Sequence, residues 1–475
     1  VTTQDANGGS PAGQNKSNLL EQMRRVGESS GRNRAERLNR QSLPQQRQAI
    51  RFEDLPEFKR VATQRMAGEM LGVANPFYRS HDVAAGATTR IGGREFVNFA
   101  SYDYLATNTH PHVAASAKEA IDRFGISASA SRLVAGERPA HMELEKKLAH
   151  VYGVDAAVCF VSGYLTNVAA IGCLMGPQDL VIHDEFIHNS ALAGIKLSGA
   201  ARRLFKHNDM ENLESILKTL SSDFRRILVI VEGIYSMDGD VADLPAVLEL
   251  KARYGFWLMV DEAHALGILG KTGRGTFEHF GLDPRDIDIW MGTLSKTTSS
   301  CGGYIAGSSA LVDILKAEAG GFVYSVGLSP VLAAAAIAGL DILQAEPERT
   351  ERLGRNGRLF LECARAAGLD TGLSIGRSVV PVIVGDSLRA AQLSNDLLAE
   401  GVNVMPIIHP AVPEGMARLR FFITCNHTEE QIRRAVALTA AKLKSLEDRK
   451  FGLASLDIDK MMQLLPAGQI SGDRS

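Results

Sequence analysis

Phe256-Trp-Leu-Met-Val-Asp261-Glu-Ala-His264 and, further along, Ile287-Asp-Ile-Trp-Met-Gly-Thr-Leu-Ser-Lys296 are the two stretches on which the reading of this chain turns. In each, an apolar run of strand length ends on polar groups, which predicts a buried strand that delivers side chains at its exit. Asp261 and Lys296 are the pair that a pyridine cofactor asks of a protein: a lysine able to form a Schiff base and an aspartate to hold a pyridinium nitrogen. Strand exits are also where open α/β sheets bind their ligands.

The same pattern recurs upstream. Ala156-Ala-Val-Cys-Phe-Val161 runs into Ser162-Gly-Tyr164, Leu180-Val-Ile182 into His183 and His188, and Ile227-Leu-Val-Ile-Val231 into Glu232-Gly-Ile-Tyr-Ser236. Helical segments separate these runs, among them His141-Met-Glu-Leu-Glu-Lys-Lys-Leu148 and Leu244-Pro-Ala-Val-Leu-Glu-Leu250, as a mainly parallel βα architecture requires. A single aspartate or histidine at a strand end is more often a structural hydrogen-bonding residue, and a single lysine a solvated charge. Several coincident strand ends favour a site. Asp-Glu-Ala-His also reads as the box of a nucleotide-driven helicase, and Ala265-Leu-Gly-Ile-Leu-Gly-Lys-Thr272 approaches a P-loop. That stretch lacks the first glycine and has no preceding strand of its own.

From about Asn98 to about Leu443 the chain resembles the α-oxoamine synthases, acyltransferases of the fold-type-I pyridoxal 5′-phosphate (PLP) class. The matching segments are Ser131-Arg-Leu-Val-Ala-Gly136, His141-Met-Glu-Leu-Glu145, Val231-Glu-Gly-Ile-Tyr-Ser-Met-Asp-Gly-Asp240, Leu258-Met-Val-Asp-Glu-Ala-His-Ala-Leu-Gly267, Gly273-Arg-Gly275, Gly292-Thr-Leu-Ser-Lys296 and Val412-Pro-Glu-Gly-Met-Ala-Arg-Leu-Arg420. The resemblance implies an α/β protein: a large domain on a mostly parallel seven-stranded sheet and a smaller C-terminal α/β domain, paired as a homodimer. The Ala-rich run from Pro330 reads as a helix opening the connection between the domains. The expected divisions are 1–48 disordered or linker, 49–105 an N-terminal arm, 106–330 the PLP-binding domain, 331–446 the small domain and 447–475 a tail.

Position by position, the resemblance implies that Lys296 carries PLP as a Schiff base and later moves protons at the substrate α-carbon, with Asp261 on the ring nitrogen. His188 matches the residue that stacks on the ring, and His264 the one that hydrogen-bonds the ring hydroxyl. Ser162, Gly163 and Tyr164, at the start of a helix, match the phosphate cradle, where unpaired N–H groups and the helix dipole favour an anion. Ser236 and Thr293 match further cofactor contacts, Ser325 one usually supplied across a dimer interface, and Arg420 the residue that holds the amino-acid carboxylate. The activity implied is a decarboxylative Claisen condensation of a small amino acid with an acyl thioester, giving an α-aminoketone. A regulatory subunit of the same fold would be expected to lack the Schiff-base lysine.

Departures limit what is carried over. The usual Asn-Tyr-Leu-Gly is Asp103-Tyr-Leu-Ala106 here, Val326 replaces a hydroxyl residue of some relatives and Ala411 a threonine of others. These positions leave acyl-chain and amino-acid preference open, as does Ser131. Gly72-Val-Ala-Asn-Pro-Phe-Tyr78, Ser127-Ala-Ser-Ala-Ser-Arg132 and Ser300-Cys-Gly-Gly-Tyr304 resemble synthase domains of polyketide-type assembly lines. With the excess of Lys and Arg between Lys16 and Arg65, they point to an acyl carrier protein as donor, docking through residues such as Arg47, Arg51, Lys59 and Arg60. The alternative is acyl-CoA in primary metabolism.

The composition fits a large buried core: 475 residues, 45% hydrophobic, with a formal net charge of -2 that gives no global affinity for nucleic acid. With no apolar run of membrane-spanning length and no signal pattern, the expectation is a cytoplasmic protein. Cys159, Cys173, Cys301, Cys363 and Cys425, odd in number and scattered, read as reduced core thiols and not as disulfide or zinc ligands, so no metal is expected. The first residue, Val1, suggests a portion of a longer polypeptide or a processed start. Met461, Met462, Leu464 and Leu465 suggest a frayed amphipathic end.

Overall fold

The runs that end on Asp261 and Lys296 are neighbouring strands of one sheet. The computed structural model describes residues 49–70 and 72–453. Two compact units divide the chain after Met66, a division that the helix Pro56–Met70 spans. The expected linker at 1–48, the docking residue Arg47 and the tail beyond 453 lie outside the described residues. Between residues 49 and 70, Arg51, Lys59, Arg60 and Arg65 are matched by Glu53, Asp54, Glu57 and Glu69, and Arg51 is paired with Asp54 at 3.0 Å. The described part of the N-terminal segment therefore carries no basic excess.

In chain order the strands are β1 (Thr88–Ile91), β2 (Arg94–Asn98), β3 (Ala156–Phe160), β4 (Leu180–Asp184), β5 (Ala201–Phe205), β6 (Ile227–Glu232), β7 (Trp257–Asp261), β8 (Ile289–Thr293), β9 (Gly303–Gly307), β10 (Val379–Gly385), β11 (Val402–Asn403), β12 (Met405–Ile407) and β13 (Ala417–Phe422). Seven form the main sheet in the order β3-β9-β8-β7-β6-β4-β5, and only β9 runs antiparallel to its neighbours.

The inner strands can run parallel because they are apolar on both faces and helices cover both, whereas the edge strand β5 carries exposed Arg202 and Arg203. In β6 every residue is buried. Its alternate residues belong to opposite cores, with Val229 and Val231 in one and Leu228 and Ile230 in the other. Leu258 and Val260 against Met259 in β7 repeat the division, as the two-residue side-chain period dictates. Helices start where the local chemistry stops them sliding: Ser162 caps Gly163–Leu174 by accepting the Leu165 N–H, and Asp243 caps Leu244–Tyr254 by accepting that of Ala246.

A second, antiparallel sheet, β10-β13-β12, follows the helix Pro330–Ala345, which begins where the small domain was expected to open. The third sheet joins β1 and β2 to β11, so the N-terminal strands are bound into the C-terminal part of the chain. Among the described residues no helix is long and apolar enough to cross a membrane. All five cysteines are free. Cys159 and Cys425 are buried, but Cys301 is exposed, since it sits in the turn before β9 and not in an apolar run.

Candidate active site

Parallel strands of similar length end at one edge, and the loops leaving that edge carry the polar groups. Asp261, the last residue of β7, stands in register with Glu232, the last residue of β6. Asn167 Nδ2 donates to Asp261 Oδ2 at 3.0 Å and the Ala263 N–H to Oδ1 at 3.0 Å, so the buried carboxylate is fixed from two sides. Asn167 Nδ2 also lies 2.9 Å from Ser190 Oγ, which ties the helices Gly163–Leu174 and Asn189–Ser198 to the same carboxylate. Glu232 takes the Ser236 N–H at 3.2 Å and leaves Oε1 buried without a partner. Burial, then the charge of Asp261, pushes its carboxyl well above the usual range.

Lys296 lies just beyond β8. Burial holds its amine down to about 8, with Asp261 and Glu232 opposing and Arg420 adding to the fall. No hydrogen-bond partner for Nζ exists among the described residues, and it lies 5.5 Å from the Tyr102 ring centroid. An amine near neutrality and free of partners can act as a nucleophile, which a salt-bridged lysine cannot.

Two histidines take different environments. His264 is buried, and burial, followed by Lys296 and Arg420, holds its pKa well below the usual value. Its Nδ1 lies 2.8 Å from the Tyr104 hydroxyl, whose own pKa burial pushes well up. His188 caps the helix Asn189–Ser198, with Nδ1 accepting the Ser190 N–H at 3.3 Å and lying 2.7 Å from Ser190 Oγ. That bond leaves Nδ1 unprotonated. The surrounding protein lowers its pKa, while Asp261 opposes and Lys296 adds to the fall. The residue is nonetheless exposed, so the ring can present a face to a flat ligand.

Ser162, Gly163 and Tyr164 sit together at the start of their helix, whose first N–H groups have no carbonyl of the same helix to reach. A Cβ at Gly163 would stand 2.9 Å from Thr293 Oγ1, so the glycine brings this helix end against the end of β8. Thr293 Oγ1 lies 2.8 Å from Ser295 Oγ. Arg420, on β13, reaches across from the second sheet: Nη1 donates to the Ser236 carbonyl at 3.0 Å, its guanidinium carbon lies 4.7 Å from the Phe422 ring centroid, and Nε is buried without a partner.

Lys296, Asp261, His188, His264, Ser236, Thr293, Arg420 and the 162–164 turn are thus brought to one sheet edge. Ser325 is joined to them by no hydrogen bond among the described residues; its hydroxyl donates to the Val326 carbonyl at 3.2 Å, between exposed Tyr324 and Val326. His183 belongs to the sheet, with Nε2 accepting from Arg202 Nε at 2.8 Å. Asp103 serves a turn, accepting the Thr107 and Asn108 N–H groups at 2.8 and 3.2 Å. Asn167, Glu232 and Tyr104 touch the site without having been assigned to it from sequence. Glu232 carried a signal as a strand-end carboxyl and Tyr104 one as part of Asp103-Tyr-Leu-Ala106; Asn167, one turn into its helix, carried none. A free buried amine, a fixed carboxylate, an open histidine face and an anion-ready helix start fit the reactive carbonyl, ring nitrogen, ring face and phosphate of PLP.

Comparison with known proteins agrees. The model of the family "Aminotransferase class I and II" matches residues 94–438. An 8-amino-7-oxononanoate synthase of Symbiobacterium thermophilum is 42% identical over 350 residues, 74% of this chain and 89% of the relative. One from Bacillus velezensis is 38% identical over 365 residues, 76% and 92% of the two chains. Among solved structures, a serine palmitoyltransferase with PLP superposes with a TM-score of 0.80 at 30% identity, covering 84% of this chain and 100% of that one.

Proposed function

The chain belongs to the aminotransferase class I and II family, as a PLP-dependent acyltransferase of the α-oxoamine synthase group with the fold-type-I fold, and from that premise we propose that it condenses alanine with a dicarboxylic acyl thioester, with loss of CO2. The relatives' name supports the substrates. A nine-carbon acid with an amine at carbon 8 and a ketone at carbon 7 divides into alanine less its carboxyl and a heptanedioyl group. These relatives favour an acyl-CoA donor in primary metabolism over a carrier-bound donor in an assembly line. The balanced charge of residues 49–70 gives the carrier reading no further support.

The observation that carries the proposal is the desolvated, unpaired Lys296 amine near Asp261 and Arg420. Lys296 would hold PLP and move the α-proton, Asp261 would hold the ring nitrogen in its protonated state, and Arg420 would bind the amino-acid carboxylate. When bound, PLP supplies an electron sink for the charge left at the α-carbon. Tyr104, donating to His264 Nδ1, would leave the His264 proton on Nε2 for the ring hydroxyl. His188 would cover the ring, with Ser162, Gly163, Tyr164, Ser236 and Thr293 as further contacts. Residues 106–330 and 331–446 would act as the two domains enclosing the site. A second copy of the chain would cover Tyr324 and Val326 and bring in Ser325, making the working unit a homodimer.

Mass spectrometry of products from a panel of amino acids and acyl thioesters tests this. Alanine with heptanedioyl-CoA should give the nine-carbon aminoketone. A preference for glycine or serine, or turnover only with carrier-bound acyl groups, would overturn the substrate assignment while leaving the reaction class.

A further inference from the structure

We propose that His207 is a positioning residue for this site, a charged ring held between the Asp184 and Asp240 carboxylates that fixes the loop presenting His188 against the loop presenting Ser236. Its Nδ1 lies 2.8 Å from Asp184 Oδ1 and its Nε2 lies 2.8 Å from Asp240 Oδ2. A neutral imidazole has one N–H, so a neutral ring here would aim a lone pair at a carboxylate oxygen. Two N–H donors are needed, and the ring is an imidazolium. Burial works against the charge, but the hydrogen bonds to Asp184 and Asp240 outweigh it and push the pKa to about 10. Phe186 stacks on the ring at 4.4 Å and Tyr235 meets it edge-on at 4.5 Å, so it has little room to turn. The titratable groups that face it are Asp184 from β4 and Tyr235 and Asp240 from the loop after β6.

The two carboxylates belong to different arms of the site. Asp184 ends β4, accepts the Phe186 N–H at 2.8 Å and so shapes the turn that leads to His188. Asp240 lies in the turn that carries Ser236: the Tyr235 N–H donates to the Asp240 carbonyl at 2.9 Å, and the Gly239 N–H to that of Tyr235 at 2.8 Å. Asn208 reinforces both, its N–H donating to Asp184 Oδ2 at 2.9 Å and its Nδ2 to Asp240 Oδ2 at 2.9 Å, from a left-handed backbone at φ 53°. The strands β4 and β6 are neighbours, yet their loops leave the sheet separately. His207 joins them through charge-assisted bonds, which are about twice as strong as neutral ones. Because Ser236 is also held by Arg420, the ring stands one step behind the proposed carboxylate-binding arginine.

The inference rests on the proposed roles of His188 and Ser236 and is testable apart from them. In histidine-labelled holoenzyme, nitrogen NMR should show the His207 ring with both nitrogens protonated at pH 8.5, about two units above the ordinary histidine value; a neutral ring there would overturn the clamp, whatever the substrates prove to be. His207→Gln should lower Tm by leaving two buried carboxylates without their cation, and should in addition weaken PLP binding at least about tenfold and lower kcat at saturating PLP. Unchanged affinity and kcat, or a lowered Tm alone, would reduce the residue to packing. If that variant does not fold, Asp240→Asn decides. With one carboxylate gone the ring's pKa should fall toward neutrality, and kcat/KM should acquire a new limb descending as pH rises. The absence of that limb in a folded Asp240→Asn enzyme contradicts the proposal. Wild-type protein that turns over no thioester would instead count against the proposed function alone.

Discussion

The Tyr104 hydroxyl lies 2.8 Å from His264 Nδ1, and this bond joins the turn after β2 to the loop after β7. Both groups are buried, so neither can exchange the other for water. Tyr104→Phe should therefore leave a buried acceptor unpaired and cost about 1–3 kcal/mol of stability, read by denaturant unfolding. If the bond sets the tautomer of His264, kcat should fall about tenfold or more while KM for the amino acid stays within a factor of about two. A loss of stability with wild-type kcat would make the tyrosine purely structural.

The depressed pKa of Lys296 gives a signed pH dependence. Below about 8 the amine is protonated and cannot attack a carbonyl; above it the free amine predominates. The rate at which cofactor-free protein takes up PLP should rise with pH and reach half its ceiling near pH 8. The sign for stability is the same: with the folded pKa at about 8 below the ordinary lysine value, the unfolded chain binds the extra proton between the two, and stability of the cofactor-free protein rises with pH across that window. An uptake rate independent of pH through neutrality would contradict the assignment.

Asp261→Asn keeps the shape and loses the charge. It should still bind PLP, but exchange of the alanine α-hydrogen for deuterium should slow by about a hundredfold or more, as when one preorganised electrostatic group is removed. Exchange near the wild-type rate, followed by proton NMR, would leave Asp261 a structural residue only.

Gly275 tests how the Asp261 segment is held. A Cβ there would stand 2.0 Å from Glu262 Oε2, and the backbone sits at φ 104°, a region for glycine. Glu262 is buried and bolted to Thr276, accepting its N–H at 3.1 Å and bonding its hydroxyl. Gly275→Ala should cost more than about 2 kcal/mol and loosen the 261–264 loop, so that Tm and PLP affinity fall together.

The main sheet was legible because buried parallel strands are written as apolar runs with polar residues at their exits, and Asp261, Glu232 and Ser162 all stand at such exits. β9 was not read from its residues, since Gly303-Tyr-Ile-Ala-Gly307 carries two glycines and little apolar length; its place is fixed by pairing with β3 and β8. The residues that gather at the sheet edge were legible through motif and position together. What stayed hidden depends on partners far apart in the chain. Tyr104 meets His264 across 160 positions, and His207 meets Asp184 and Asp240 from the turn after β5, where no apolar periodicity marks it. Asp103 looked like a departure with consequences for substrate, and its carboxylate is engaged in capping its own turn.

Lys296 is proposed to organise a thioester-dependent decarboxylation. The direct measurement is release of labelled CO2 from carboxyl-labelled alanine by PLP-loaded protein, with free thiol followed in the same reaction. CO2 and thiol should appear in equal amounts, with none without acyl thioester and none from a folded Lys296→Ala variant. Release of CO2 without thioester, or equal release from the Lys296→Ala variant, would contradict it.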